Sequence, residues 1–378
     1  MTVRKGSLRV AYLGVRGVPA RGGAERVVQA IASRMPSLGV NPTIYCDRAY
    51  TPPDYAMHGC ELVRLPSLQG KYTRAVSLDT MAMLHAIALR SFDVIHLQHA
   101  EAAFVLPLLR LRYKIVATSH GNAYSRAKWG ALAKRLLRTM DAPFVRLANR
   151  VTSVSQLGSE DLQARFGRRV VFIPNGVATE LEPNREAYFR ILDDHGLEPG
   201  HYLLFVAGRI EPTKGAHLAI EAVNRVGCPY PLLIVGDATQ VPAYTRELHS
   251  LAGPGVRFHD IVQDPGTLYG LMAGAMCLLF PSTVEAMSMV LLEAASLGVP
   301  ILASDIAENR QVLGEDGTYF RNGEVESLAG KLRELLLAPQ AARERAAALS
   351  ERIRNDFSWD IIAAQYAQLY HEVCTKDE

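Results

Sequence analysis

Hydrophobic residues in this chain form short runs that alternate with longer stretches of helical periodicity. The short runs are rich in β-branched, aromatic or leucine residues and have the length of strands. They are LRVAYLGV (8–15), PTIYC (42–46), ELVRL (61–65), DVIHL (93–97), KIVATS (114–119), RVTSV (150–154), VVFIP (170–174), YLLFVAG (202–208), PLLIVG (231–236), VRFHD (256–260), AMCLLFP (275–281), VPILAS (299–304) and TYFRN (318–322). Amphipathic stretches such as AERVVQAIASRM (24–35) and HLAIEAVNRV (217–226) lie between many of them. This alternation predicts an α/β protein with parallel sheets covered by helices on both faces.

The alternation is interrupted once, by the polar segment 178–202, and then begins again. A chain of 378 residues is long enough for two domains with separate cores. We therefore predict a first domain over 1–178 and a second over 179–357. After Asn322 the pattern is helical, and DIIAAQYAQLYHEV (360–373) has an apolar face that must be buried against another element.

Composition places the chain among soluble globular proteins. Hydrophobic residues make up 49% and charged residues 21% of the sequence. The five cysteines are widely spaced and form no CxxC pair, which favours a reducing compartment and so a cytoplasmic location. The first apolar run is predicted to be a strand rather than a signal peptide, and none approaches the length of about 18 residues that crosses a bilayer.

Positive charge is concentrated between residues 102 and 150. This segment contains ten basic residues and one acid, a charge of +9; because the chain carries +3, the remainder carries −6. The basic residues are Arg110, Arg112, Lys114, Arg126, Lys128, Lys134, Arg135, Arg138, Arg146 and Arg150. The asymmetry indicates an anionic partner or, equally, a solvated basic surface. Nucleic acid is not expected, since no stacking aromatics are interleaved; an anionic membrane face or a phosphorylated acceptor fits better.

A glycine-rich loop, GVRGVPARGGAERVV (14–28), follows the first predicted strand and leads into a helix. Gly22 and Gly23 would let backbone N–H groups approach a phosphate at the helix N-terminus. The spacing matches neither GxGxxG nor GxxxxGK[ST]. A tight turn without a ligand is the alternative.

Two cations follow a strand in AGRIEPTKGAHLAIEAV (207–223). Gly208 ends the strand, and Arg209 and Lys214 come before the next helix, at the edge where parallel sheets bind ligands. Arginine can hold phosphate oxygens bidentately and lysine adds a point charge, so a diphosphate is the expected ligand. The chain has no DxD triplet. We therefore expect protein cations, and no metal or other cofactor, to stabilise a departing diphosphate.

Two carboxylates flank an apolar run in STVEAMSMVLLEAASLGVP (282–300). If 285–293 were helical throughout, Glu285 and Glu293 would be separated by a rise of about 12 Å, too far to chelate one metal ion. We therefore expect them to hold different parts of one elongated ligand, with Glu293 accepting from a diol. The alternative is a partly buried glutamate paired with an arginine or a backbone N–H group.

Taken in order, the motifs resemble those of the retaining GT-B glycosyltransferases of family 4. The matching stretches are GGAE (22–25), VSQLGSEDL (154–162), IPNGV (173–177), GRIEPTKG (208–215), the E-x7-E pair (285–293) and FSWDIIAAQYAQLY (357–370). The resemblance implies two Rossmann-like domains that face each other across a cleft. The first would bind the acceptor and the second the nucleotide sugar, while the terminal helix (358–374) would cross back to the first domain.

The resemblance also implies site residues. Arg209 and Lys214 would neutralise the diphosphate, Glu285 would lie near the donor sugar and Glu293 would bind ribose. His120, in ATSHGNAYSRAKWG (117–130), would touch the transferred sugar, although a capped loop histidine is the alternative. The donor-binding set would be Gly22, Gly23, Gly208, Arg209, Lys214, Glu285, Ala286, Met287, Ser288 and Glu293. The tetrad EAMS (285–288) departs from the glycine-bearing tetrad that is frequent in the family, which leaves the donor sugar open.

The sequence thus predicts a retaining, metal-independent glycosyltransferase that uses a nucleoside-diphosphate sugar. The HGNAYSRAKWG stretch is similar to bacterial enzymes of surface-polysaccharide assembly, so a saccharide or lipid-linked acceptor is expected. Residues 110–150 would dock on the anionic inner face of the membrane. The rivals are a nucleotide-sugar epimerase, which would need acid and base groups at the sugar carbon, and a non-catalytic partner subunit, which would have no need of the charged set.

Overall fold

A computed structural model describes residues 7–70, 73–121, 135, 137–178 and 182–375 of the chain. The chain divides into two compact units. Unit 1 comprises Met1–Asn175 together with Trp359–Glu378, and unit 2 comprises Gly176–Ser358. The sequence places the hinge near residue 178.

Unit 1 is built on a seven-stranded parallel sheet with the strand order β3-β2-β1-β4-β5-β6-β7. The strands are β1 (Leu8–Leu13), β2 (Val40–Asp47), β3 (Glu61–Leu65), β4 (Val94–Leu97), β5 (Lys114–Ser119), β6 (Arg150–Ser153) and β7 (Val170–Phe172). The helices are α1 (Gly23–Ala32), α2 (Thr73–Leu89), α3 (Leu106–Leu109), α4 (Asp141–Leu147) and α5 (Gln156–Phe166), with 3-10 turns at Met35–Leu38 and Ala100–Val105. Central strands such as β4 are buried along their whole length, as expected for a parallel sheet covered on both faces.

Unit 2 repeats the design with a six-stranded parallel sheet in the order β10-β9-β8-β11-β12-β13. The strands are β8 (Leu203–Arg209), β9 (Leu232–Asp237), β10 (Val256–His259), β11 (Cys277–Phe280), β12 (Ile301–Ser304) and β13 (Thr318–Phe320). The helices are α6 (Arg185–His195), α7 (Ala216–Val226), α8 (Pro242–Leu251), α9 (Pro265–Ala273), α10 (Met289–Ser296), α11 (Ala307–Leu313), α12 (Val325–Leu337) and α13 (Pro339–Asp356), with 3-10 turns at Pro212–Lys214 and Gly314–Asp316. Both units are Rossmann-like, which confirms the predicted fold class.

The last helix, α14 (Trp359–Thr375), belongs to unit 1 and confirms the prediction that the chain returns to its first domain. Its apolar face is buried, and two tyrosines on that face belong to a cluster of buried polar side chains. This cluster, the polar seam, consists of Tyr366, Tyr370, His96 and Thr118. The hydroxyl of Tyr370 lies 2.7 Å from Nδ1 of His96, whose Nε2 lies 2.6 Å from Oγ1 of Thr118. The hydroxyl of Tyr366 lies 3.3 Å from the same Thr118 oxygen. The seam fixes the helix against β4 and β5 through hydrogen bonds as well as packing.

The five cysteines are free in the structure. Within the part of the chain that the structure describes, no helix combines the length and the apolar character needed to cross a membrane.

Candidate active site

The cations predicted for the diphosphate lie at the carboxyl end of the sheet in unit 2. Gly208 and Arg209 end β8, which pairs with β9 on one side and β11 on the other. Open α/β sheets bind their ligands at this edge, where the loops that follow the strands diverge.

Two loops of unit 2 are in close contact beside this edge of the sheet. Gly215 has a φ of +74°, and a Cβ atom there would lie 2.3 Å from the carbonyl oxygen of Pro281. The backbone N–H of Thr283 donates to the carbonyl of Thr213 at 2.8 Å. A glycine is therefore required by both the conformation and the close approach, which brings the Lys214 turn against the loop that follows β11.

This approach joins two of the predicted site residues. Nζ of Lys214 donates to Oε1 of Glu285 at 2.6 Å, and the Glu285 side chain is only 10% exposed. An ammonium group has three donors, so Lys214 can hold the carboxylate with one and offer the others to phosphate oxygens. Glu285 therefore orients the lysine, and its contact with the donor sugar stays a prediction.

Arg209 has an acidic neighbour that the sequence analysis missed. It lies opposite Asp237 in the register between β8 and β9. Burial alone would raise the pKa of Asp237, but hydrogen bonds from Thr239 and Gln240 and the charge of Arg209 together lower it. Asp237 thus stays ionised beside the arginine at the edge of the sheet. Its position directly after the predicted strand 231–236 was the signal that could have found it.

The premise that 285–293 is one helix is wrong. The loop runs through residue 288, and α10 begins at Met289 with Ser288 as its N-cap. The Ser288 hydroxyl accepts from the backbone N–H of Leu291 at 3.3 Å, and such a cap sets where a helix starts. The rise of about 12 Å therefore does not describe the Glu285–Glu293 spacing. In the EAMS tetrad, Ser288 caps α10, Met287 is buried and Ala286 is partly buried.

Glu293 lies inside α10 and is almost completely buried. Its Oε1 accepts from the hydroxyl of Tyr269, on α9, at 3.1 Å. One partner is thus a tyrosine, a residue type that was not among those considered from the sequence. Tyr269 was not singled out there, since an aromatic residue in an apolar helix carries no signal of this role.

Gly22 and Gly23 lie at the start of α1 in unit 1, and they meet different surroundings. A Cβ atom at Gly22, the N-cap, would lie 2.4 Å from Oε2 of Glu25. A Cβ atom at Gly23 would meet nothing within 4 Å. The first glycine makes room for the carboxylate of the GGAE motif, and the second leaves the start of the helix open.

His120 follows β5 in the same unit. Its Nε2 lies 2.9 Å from Oε1 of Gln98, and its ring centroid is 5.4 Å from that of His99. Gln98 and His99 were missed, although both come directly after the predicted strand 93–97. The remainder of the HGNAYSRAKWG stretch, from Asn122 on, lies outside the described residues. Because β4 lies between β1 and β5, His120 and the glycine pair occupy different parts of the sheet edge.

Family models match both units of the chain. The Glycosyltransferase Family 4 model matches residues 21–181, and the Glycosyl transferases group 1 model matches 200–338. A phosphatidyl-myo-inositol mannosyltransferase of Mycobacterium tuberculosis (strain ATCC 25618 / H37Rv) is 30% identical over 297 residues, 75% of this chain and 74% of that protein. A glycogen synthase of the same strain is 27% identical over 299 residues, 74% and 68% of the two chains.

Solved structures show the same architecture. Sucrose-phosphate synthase from Thermosynechococcus elongatus superposes with a TM-score of 0.81 at 22% identity, covering 97% of this chain and 99% of that one. Anabaena HepE, solved in complex with UDP and glucose, gives a TM-score of 0.78 at 20% identity over 97% and 100% of the chains. At these identities the likeness establishes the fold alone, that of the GT-B glycosyltransferases. With the family models and the relatives, it follows that the chain belongs to glycosyltransferase family 4.

Proposed function

We propose that this glycosyltransferase is retaining and metal-independent and moves a sugar from a nucleoside-diphosphate sugar to a saccharide or lipid-linked acceptor in cell-surface polysaccharide or glycolipid assembly. The observation that carries the proposal is the Lys214–Glu285 ion pair at the edge of the sheet that also presents Arg209. The complex of Anabaena HepE with UDP and glucose supports a nucleotide-sugar donor.

Chemistry at this edge requires charge stabilisation above all. When the bond between the sugar carbon and the diphosphate breaks, negative charge grows on the phosphate oxygens, and Arg209 and Lys214 would stabilise it without a metal ion. The acceptor oxygen forms its bond on the face from which the diphosphate departs, and its proton passes to a phosphate oxygen. These bond changes need no protein nucleophile, and the anomeric configuration of the sugar is retained.

Other residues would bind and orient the donor. A carboxylate suits a ribose diol, because its oxygens accept from both hydroxyl groups, and the hydrogen bond from Tyr269 fixes the orientation of Glu293. His120 would contact the transferred sugar, held in place by Gln98.

Thermal unfolding with nucleoside diphosphates tests the donor site. In EDTA, a diphosphate at about 100 times its dissociation constant should add about 2.7 kcal/mol of stability. Arg209→Ala should lose this gain, whereas Arg246→Ala, at an exposed position of α8, should keep it. Stabilisation that requires a divalent metal would contradict metal independence, and an equal gain in Arg209→Ala would contradict the site.

The acceptor side of the proposal rests on unit 1. Of the basic segment 110–150, Arg126, Lys128 and Lys134 lie outside the described residues, while Arg110 and Arg112 are exposed. The side chains of Leu108 and Leu111 beside them are 51% and 82% exposed. Cationic groups around exposed leucines match the surface of an anionic membrane. The mannosyltransferase relative, which is named for phosphatidyl-myo-inositol, supports a lipid-linked acceptor.

Vesicle binding tests the membrane contact. The protein should bind vesicles containing anionic phospholipid more strongly than neutral ones, and the double variant Leu108→Ser, Leu111→Ser should bind less. Leu337→Ser is the matched control, since Leu337 is 87% exposed but lies in unit 2. Equal binding to the two kinds of vesicle would contradict docking through this segment.

A further inference from the structure

Two arginines of the β1–α1 loop share one tyrosine ring in unit 1. The Cζ atoms of Arg21 and Arg16 lie 4.7 Å and 5.4 Å from the ring centroid of Tyr50, which follows β2. The tyrosine is buried, whereas both arginines are exposed. A guanidinium group over an aromatic face is held by cation–π attraction, and its N–H groups remain able to hold an anion at its edge.

Backbone contacts hold this loop in one conformation. The phenol oxygen of Tyr50 accepts from the backbone N–H of Arg21 at 2.8 Å. The carbonyl of Arg16 accepts from the N–H of Asp47 at 2.7 Å, and the N–H of Val18 donates to Oγ1 of Thr51 at 3.2 Å. The loop thus presents its arginines on a fixed support, which reduces the entropy lost when a ligand binds.

The two arginines differ in their anionic partners. Nε of Arg16 donates to Oε1 of Glu25 at 3.2 Å. Within the described part of the chain, no carboxylate lies within salt-bridge distance of Arg21. An arginine that is fixed by a ring, reaches solvent and lacks a carboxylate is suited to bidentate binding of a phosphate.

We propose that Arg21, supported by Tyr50 and assisted by Arg16, forms a subsite for a phosphate group on the acceptor. This inference deepens the proposed function and rests on it, because the proposed function supplies the acceptor to which the phosphate is assigned. Arg209 and Lys214, the cations proposed for the donor diphosphate, lie in unit 2. The stacked arginines lie at the carboxyl end of β1 and β2 in unit 1, the unit proposed for the acceptor, beside Gly22 and Gly23, whose predicted contact with the donor is through backbone N–H groups. The substrate class is therefore a phosphorylated saccharide or a lipid-linked phosphate.

Phosphate binding tests the subsite independently of catalysis. Titration calorimetry of the full chain with inorganic phosphate should show binding that Arg21→Ala weakens by about tenfold. Arg48→Ala is the matched control, because Arg48 is also exposed and follows β2 but stacks on no described ring; it should change binding less than about twofold. Arg21→Lys keeps the charge but loses the planar guanidinium group that can bind phosphate bidentately, so it should also weaken binding. Equal affinity in Arg21→Ala and wild type, equal loss in Arg48→Ala, or no binding to wild type would overturn the subsite.

Binding of two further ligands distinguishes the two possible sources of the phosphate group, a soluble saccharide and a lipid. If the ligand is a soluble phosphorylated saccharide, Arg21→Ala should weaken binding of a hexose 1-phosphate; if it is lipid-linked, the variant should weaken binding to vesicles containing phosphatidic acid. No effect in either assay overturns the acceptor assignment. Because these assays need no donor, phosphate binding that depends on Arg21 in a chain without transferase activity would refute the proposed function while leaving the anion site in place.

Discussion

The polar seam under α14 and the charged cluster of unit 2, which is the Lys214–Glu285 ion pair beside Arg209, differ in how far their polar side chains are buried. In unit 1, His96 is completely buried between Tyr370 and Thr118. In unit 2, Lys214 and Glu285 are an ion pair whose lysine side chain is still 26% exposed. The first cluster is closed to solvent, and the second remains accessible to a ligand.

The difference follows from the cost of burial. A neutral polar group can be buried when its hydrogen bonds are satisfied, whereas an ionised one loses much more hydration. Burial lowers the pKa of His96 to about 3, so the seam is neutral at pH 7. We infer that the seam serves the fold and that the cluster serves the ligand, which variants of each can test.

The largest expected effect is on catalysis in the unit 2 cluster. Glu285→Gln keeps the size of the side chain but removes the charge that orients Lys214. We expect kcat/KM to fall by about 100- to 1,000-fold, the range for losing one stabilising group in a transition state, with little change in unfolding free energy. Glu326→Gln removes a charge that pairs with Arg225 and Arg333 at the surface of unit 2 and should leave kcat/KM unchanged. Wild-type turnover in Glu285→Gln would show that the cluster is structural.

The second effect is the pH dependence of the seam. The pKa of His96 is below its unfolded value of about 6.5, so its contribution to stability is present above that pH and is lost as the pH falls toward 3. Between pH 7 and pH 5 we expect wild type to lose about 2 kcal/mol more than His96→Gln in denaturant unfolding. Asp79, whose pKa burial raises to about 7, acts in the opposite direction, but its contribution cancels in this difference. Parallel pH profiles for the two proteins would contradict a neutral, buried His96.

Removing one hydroxyl from the seam should have a smaller effect. Tyr370→Phe takes a hydrogen-bond partner from His96 and from Tyr12, whose hydroxyl lies 3.2 Å away. We expect a loss of about 1–2 kcal/mol of unfolding free energy, because buried polar groups are left unsatisfied, and an unchanged kcat/KM of the folded enzyme. Tyr230→Phe, at a partly exposed position of unit 2, is the control. A change in kcat/KM without a loss of stability would place the seam in catalysis.

The smallest effect concerns the cap of α10. Ser288→Ala should cost about 1 kcal/mol of unfolding free energy, whereas Ser288→Gly should cost only a few tenths, because glycine is a tolerated N-cap. Chemical denaturation of the two variants measures both. If alanine and glycine cost the same, the hydrogen bond to Leu291 is not what begins the helix.

Much of the fold could be predicted from local patterns, and the candidate site only in part. Every predicted strand run overlaps a strand of the structure, since short runs rich in apolar and β-branched residues between helical stretches favour the strands of a parallel sheet. Arg209, Lys214 and Glu285 could be predicted to lie together because charged residues that follow such runs lie at the carboxyl edge of a parallel sheet, and Lys214 does pair with Glu285 there. Tyr269 and Tyr50 could not be found, since each acts on a residue from a distant part of the sequence.

The sequence by itself determined the alternation of strands and helices, the two-domain organisation and the family. Those properties depend on hydrophobic period and local motifs, which are present in the order of residues. The tertiary structure alone decided that Lys214 pairs with Glu285, that Ser288 starts α10 and that Tyr50 supports Arg21 and Arg16. Such pairings depend on strand order and loop packing, and these bring together residues that no sequence spacing relates.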